Sequence, residues 1–341
     1  MSNLIVIHAD FEAHWPFVAE RLMQRWQEQD ETALIRLERG DSRILGEAVA
    51  HPHEVTRLAC LGVPVTAACL QRFVMLREAA FAAPYGAADL SLAALDHLQQ
   101  RGVKRYQHRS EGFWGQSVAE FALALTLCAL RRIPQNYQEM LTSYEPWQRY
   151  SAQRNQGPGK LGAQFSDDTR FTHGTVAGKR VRVVGAGNIG SRYASFVHLL
   201  GADVAAWDPY AAEPSFHRTG SRRAHHLDEL VKDAEIFVPM LPLTEGTLGL
   251  VTAAHIDALP KGCLVVLATR ALICDMDAIR RRVLADELAL AADVFDIEPL
   301  PLDDPLLGRH NVVHTPHLAG RTRDANYQWV DDLLAQFDPI V

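Results

Sequence analysis

The stretch that most constrains this chain runs from Arg180 to Tyr210, RVRVVGAGNIGSRYASFVHLLGADVAAWDPY. A short apolar run leads into glycines at 185, 187 and 190, then a segment with helical spacing, then a second apolar run that stops at Asp208. Strand, glycine turn, helix and strand in that order describe a βαβ unit of a parallel sheet. The three glycines serve different ends. Gly185 permits the tight turn, Gly187 lets the backbone approach a ligand, and Gly190 lets helix and strand pack in contact. The helix that follows offers unpaired N–H groups and the positive end of its dipole, so the ligand suited to this turn is a pyrophosphate. Asp208 stands where an acid accepts hydrogen bonds from an adenosine ribose diol and repels a 2′-phosphate, which points to NAD in preference to NADP. Two plainer readings stay open here, a glycine turn that serves packing alone and Asp208 as a turn cap in WDPY.

The βαβ unit sits in a longer series. RVRVVG, DVAAWD, EIFVPM, CLVVLA, LALAAD and NVVHT supply six strands with helical candidates between most of them, the pattern of a doubly wound dinucleotide fold. An earlier series, LIVIHA, ALIRLE, TRLACLG, EAAFAA and VKRYQH, predicts a second parallel α/β sheet over about residues 1–110. Between them, SVAEFALALTLCALRRI carries a capping-box signature at Ser117 and Glu120 and is apolar on nearly every face, so it must be buried, as a core helix or as a contact between subunits. Its apolar stretch Phe121–Leu130 is too short to span a bilayer and meets Arg131 and Arg132. Tyr144 to Thr175, with weak periodicity, reads as a long surface excursion.

In an open parallel sheet, ligands gather outside the carboxyl ends of the strands. CLVVLATR ends there at Arg270, LALAADVFDIEP runs out through Asp293 to Glu298, and NVVHTPHLAG reaches His317 after the break at Thr315-Pro316. A cation, a carboxylate and an imidazole thus leave three strands at the edge that holds the glycine turn. Taken singly they also read as a capping cation, a solvated acid and a core histidine; their convergence favours chemistry. His314, inside the apolar run, is expected to be structural.

Composition removes other classes. A net charge of −7 without a long basic run argues against nucleic acid as a partner. The five cysteines are widely spaced in apolar stretches with no metal or redox spacing, and MSNLIVIHADF reads as a first strand, not a signal peptide. The expected setting is cytoplasmic, with no membrane partner and no metal.

From about Val55 onward the chain resembles the D-isomer-specific 2-hydroxyacid dehydrogenases. The stretches that carry the likeness are SVAEFALALTLCALRRIP, VAGKRVRVVGAGNIG, WDPY, PLTEGTLGLV, LATRALICD, AADVFDIEPLP and NVVHTPHLAG, in the family's order. The resemblance implies an NAD-binding Rossmann domain over 113–317 and a flavodoxin-like substrate domain over 1–112 that the C-terminal segment 318–341 rejoins. It implies a cleft between them, and a homodimer built through the nucleotide domain. Arg270 is similar to the family's substrate arginine, His317 to its acid/base and Glu298 to the histidine's partner, for interconversion of a small 2-oxo acid and the D-2-hydroxy acid. A neighbouring carboxylate favours the imidazolium that donates the proton. The resemblance further implies cofactor contacts at Gly185, Gly187, Asn188, Ile189 and Gly190, at Asp208, Leu241 and Pro242, at Ala268 and Asp293 near the nicotinamide, and from His317 to Gly320.

The chain departs from the family where a glycine-rich loop usually holds the substrate carboxylate. It reads AAPYGAAD, with Pro84, which lacks an N–H, beside Tyr85 and Gly86. Phe113 and Trp114 at the domain junction read either as a bulky pocket wall or as hinge packing; the first points away from a small polar substrate such as glyoxylate. The alternative to an enzyme is an NAD(H)-sensing binding protein on the same scaffold, which the altered loop favours. The retained Arg270, Glu298 and His317 favour the enzyme.

Overall fold

The computed structural model describes residues 3–83, 90–108, 112–152, 154 and 156–339. The chain divides into two units, one holding residues up to Phe113 together with Arg321 onward, the other Trp114–Gly320. The boundaries expected from sequence, after residues 112 and 317, lie within a few residues of these.

In the first unit, β1 (Asn3–His8), β2 (Thr32–Leu37), β3 (Arg57–Leu61), β4 (Glu78–Ala82) and β5 (Lys104–Tyr106) form one parallel sheet in the order β2-β1-β3-β4-β5. That is the flavodoxin-like order. Burial of β1 and β3 on both faces explains why they read as continuous apolar runs. The C-terminal segment belongs to this unit. Trp329, Val330 and Leu333 of its helix are buried, and Arg21 bonds Asp331 at 2.6 Å. Glu78, almost fully buried, accepts from Arg57 at 2.8 Å, from the Tyr106 hydroxyl at 2.7 Å and from the Asp338 N–H at 2.9 Å.

The second unit contains β6 (Arg180–Val184), β7 (Asp203–Trp207), β8 (Arg222–Ala224), β9 (Ile236–Pro239), β10 (Leu264–Leu267), β11 (Ala289–Ala292) and β12 (Val312–His314). All are parallel, in the order β12-β11-β10-β9-β6-β7-β8. The chain winds outward from β6 to β8 and then crosses to β9 on the other side of β6. The glycine turn after β6 therefore lies at the topological switch point, where such sheets bind ligands. β8 is an addition to the expected strands: its residues, Arg222, Arg223 and Ala224, are at most half-buried, so no apolar run marks them.

The apolar helix α1 (Gly115–Arg131) packs on α2 (Asn188–Leu199), β10, β11 and β12, burying Val118, Ala119, Ala122, Leu125 and Leu130 in the core. Two expectations change here. With the turn that precedes it, the helix runs from Gly112 to Arg131 and is, by length and composition, long enough to cross a membrane. Its start is also not at Ser117: no side chain caps it, and the Ser117 hydroxyl instead donates to the Ala319 carbonyl at 2.6 Å. In the excursion after α1, the buried Gln148 donates to the carbonyls of Gln156 at 2.7 Å and Lys160 at 2.6 Å, tying the segment to itself.

Candidate active site

The glycine turn has the geometry its spacing implies. Gly185 has φ +101°, and a Cβ there would come within 2.8 Å of the Met240 carbonyl oxygen. At Gly190 a Cβ would lie 2.0 Å from the Gly185 carbonyl oxygen, so only glycine lets α2 sit this close to β6. Gly187 differs: among the described residues, a Cβ there would meet no atom within 4 Å beyond its chain neighbours. It is also the N-cap of α2 and supplies no side-chain cap. The helix start thus keeps the dipole and N–H groups that suit an anion, beside space that a Cβ would take. Asn188 and Ile189 open the helix; the Asn188 side chain lies against Gly115 and accepts from Arg192. Leu241 flanks Gly185 after β9, and Pro242 beyond it is exposed.

Asp208, half-buried at the end of β7, does more than expected. One carboxylate oxygen accepts the Ala186 N–H inside the glycine turn at 2.8 Å; the other accepts the N–H groups of Tyr210 and Ala211, each at 2.9 Å. It braces the turn and caps WDPY at once, so the capping reading describes real bonds. The oxygen that accepts the Ala186 N–H retains one acceptor site for a ribose hydroxyl, while the Tyr210 and Ala211 N–H groups take both sites of the other.

β10, β11 and β12 are neighbours, and their pairing continues past their carboxyl ends: Asp293 N–H bonds the Leu267 carbonyl at 2.8 Å and Thr315 N–H the Ala292 carbonyl at 3.0 Å. Ala268 is buried at this edge. Arg270 is half-buried, with one guanidinium nitrogen bonded to the Thr269 carbonyl at 2.7 Å; among the described residues it has no carboxylate partner. Its charge is available to an anionic ligand.

His317 Nδ1 lies 2.7 Å from Glu298 Oε2, and Glu298 Oε1 accepts the Phe295 N–H at 2.7 Å. Both Glu298 oxygens are therefore engaged, one orienting the acid and one orienting the histidine, while His317 Nε2 faces outward from that pair. The two side chains are 45% and 34% exposed, open enough to meet a ligand. The loop carrying Glu298 is anchored by Arg280, bonded to Asp296 at 2.8 Å and Asp304 at 2.9 Å. The hydrogen bond to Asp296 holds the Arg280 guanidinium above its ordinary pKa. This anchor is invisible in the sequence, because an arginine on a helix and two loop acids carry no local signal of their pairing. His314, the last residue of β12, is exposed and accepts the Gly308 N–H at 3.4 Å.

Other expected residues fall elsewhere. Phe113 is buried in an aromatic cluster of the first unit, 5.8 Å from Trp15 and 5.1 Å from His108 between ring centres, so packing accounts for it. Trp114 packs on the core of the second unit, beside Gly320. Pro84, Tyr85 and Gly86 lie outside the described residues.

Comparison with known proteins identifies the family. Residues 123–319, more than half of the chain, match the family described as D-isomer specific 2-hydroxyacid dehydrogenase, NAD binding domain. D-3-phosphoglycerate dehydrogenase of Archaeoglobus fulgidus is 32% identical over 210 residues, 61% of this chain and 36% of that protein. The Haemophilus influenzae protein of the same name is 28% identical over 62% of this chain and 47% of its own length. The chain thus matches less than half of the length of these relatives. Among solved structures, a phosphoglycerate oxidoreductase from Rhizobium etli has TM-score 0.69 at 18% identity, covering 98% of this chain and 93% of that one. The NAD-complexed D-isomer specific 2-hydroxyacid dehydrogenase of Lactobacillus delbrueckii ssp. bulgaricus has TM-score 0.65 at 16% identity, covering 98% and 95%. These two share the fold. The glycine turn at the switch point, the convergence of three strand ends and the family match lead to one conclusion: the chain belongs to the D-isomer specific 2-hydroxyacid dehydrogenase family, through its NAD binding domain.

Proposed function

We propose that the protein interconverts a 2-oxo acid and the corresponding D-2-hydroxy acid. The observation that carries the reading is the 2.7 Å contact of His317 Nδ1 with Glu298, at the sheet edge that also bears Arg270. NAD, when bound, supplies or takes the hydride. The residues fit it: Gly185, Gly187 and Gly190 shape a turn with open space at Gly187, and α2 begins there without a side-chain cap.

Reducing a 2-oxo acid needs a cation near its carboxylate and C2 oxygen, and a proton donor within hydrogen-bond reach of that oxygen. Arg270, without a carboxylate partner among the described residues, has the charge to serve as the first. His317 serves as the second: Glu298 occupies Nδ1, so Nε2 delivers the proton in reduction and receives it in oxidation. The Asp208 carboxylate supports NAD over NADP, since a 2′-phosphate would meet its charge. A homodimer through the second unit is supported by exposed Ile133, Tyr137, Leu141, Tyr144, Trp147 and Leu161, large apolar side chains that follow one another within one stretch of the chain. A reducing, cytoplasmic setting is supported by five free cysteines, four of them buried.

The test is a panel of 2-oxo acids with NADH, followed by loss of nicotinamide absorbance. At least one acid is expected to turn over, His317→Ala is expected to remove nearly all of that rate, and His314→Ala to leave it within about threefold. Tight NADH binding with no turnover on any acid would favour a binding protein that senses NADH.

A further inference from the structure

Asp293 raises a question that its neighbours answer. Its side chain is fully buried, yet it is a carboxylate, so its oxygens must be satisfied inside the protein. Oδ1 accepts the Thr315 hydroxyl at 2.6 Å and the Leu318 N–H at 2.9 Å; Oδ2 accepts the Ala319 N–H at 2.8 Å. These three donors bracket His317, which sits between them with φ +56°. A left-handed conformation is strained for a residue with a Cβ and persists only where its surroundings over-determine it. The surroundings here are the carboxylate of Asp293, with the Ser117 hydroxyl holding the Ala319 carbonyl from the other side.

We propose that Asp293 and Thr315 are positioning residues for His317: the buried carboxylate, oriented by the Thr315 hydroxyl, imposes the left-handed turn that brings Nδ1 onto Glu298 and aims Nε2 at the substrate. The proposal rests on the functional reading above and adds one part to it. Asp293 acts through the backbone of the histidine turn, a role separate from the contact with the nicotinamide that the family resemblance implies. Thr315, two residues before His317, becomes a determinant of turnover although it lies outside the acid/base pair.

Thr315→Val keeps the shape of the side chain and removes the donor; Thr315→Ser keeps the donor. At saturating NADH, the valine variant is expected to lose about tenfold to a hundredfold in kcat, the range for a catalytic group displaced by about an ångström. Its NADH Kd, read by nicotinamide fluorescence, is expected to stay within twofold, and the serine variant to recover most of kcat. In parallel, the ring resonances of His317 are expected to shift in Thr315→Val and not in Thr315→Ser, a readout that needs no turnover. Equal behaviour of valine and serine variants would overturn the proposal, as would a loss of NADH affinity matching the loss of kcat. If the wild-type protein turns over no 2-oxo acid, the dehydrogenase reading fails by itself, and the resonances still decide whether Thr315 sets the histidine's position.

Discussion

Glu298→Gln separates charge from shape at the proposed acid/base pair. In the native arrangement one oxygen of Glu298 accepts the Phe295 N–H at 2.7 Å and the other faces His317 Nδ1 at 2.7 Å. A glutamine has one acceptor. If its oxygen keeps the Phe295 bond, its NH₂ must face Nδ1, which then has to be an acceptor, and the histidine is held as the neutral tautomer with its proton on Nε2. That form is wrong in both directions: in reduction it would have to leave an imidazolate behind, and in oxidation its Nε2 has no lone pair for the incoming proton. Loss of the ion pair comes on top. With the two side chains 45% and 34% exposed, solvent screens the pair to about 0.2–1 kcal/mol, a factor of at most about 5 in rate. The tautomer effect is larger, since the corresponding change in a histidine–carboxylate pair of serine proteases costs about 10⁴. We expect kcat to fall by about 10²–10⁴ overall, with the NADH Kd within about twofold. The assay is steady-state reduction of the best 2-oxo acid at saturating NADH, with NADH binding measured separately. A kcat within about threefold of wild type would refute the reasoning, because it would mean that Glu298 neither orients nor charges the acid/base.

Other perturbations test other parts of the site. Gly187→Ala, whose Cβ meets no atom among the described residues beyond its chain neighbours, is expected to leave Tm within about 1 °C while weakening NADH about tenfold; Gly190→Ala, with a Cβ 2.0 Å from the Gly185 carbonyl, is expected to lower Tm and NADH affinity together. Calorimetry and NADH titration distinguish the two. Asp208→Ser is expected to weaken both cofactors, because one hydroxyl oxygen cannot serve the Ala186 N–H on one side and the Tyr210 and Ala211 N–H groups on the other, and to weaken NADPH least. An unchanged ratio of NADH to NADPH affinity would remove Asp208 from cofactor selection. Asp233 is held below the usual carboxylate range, first by its hydrogen bond from the buried Arg182, so it stabilises the fold above its unfolded pKa and loses that contribution as pH falls through its folded pKa. The Tm difference between wild type and Asp233→Asn is therefore expected to be full near pH 7 and to shrink below about pH 4. A difference independent of pH would place the effect outside the charge of Asp233.

What the sequence determined by itself is the part governed by local chemistry. Period and composition suffice for the strands with apolar runs, and the glycine spacing suffices for the turn, because steric limits on φ and on close packing act within a few residues. The three strand ends bearing Arg270, Glu298 and His317 were legible for the same reason, once a parallel sheet was granted. β8 escaped because Arg222 and Arg223 carry no apolar signal, and the start of α1 escaped because Ser117 bonds Ala319, a partner some two hundred residues away. Only the tertiary structure decided that Phe113 is packed in an aromatic cluster, that Asp208 braces the glycine turn, and that Arg280 holds the loop of Glu298. It also decided the conformation of His317. A left-handed histidine is unfavourable locally, and no residue in NVVHTPHLAG announces it; the compensation comes from the buried Asp293, just past the end of the neighbouring strand β11. Sequence specifies which groups leave the sheet edge, and long-range hydrogen bonds, whose partners no local pattern encodes, specify where those groups point.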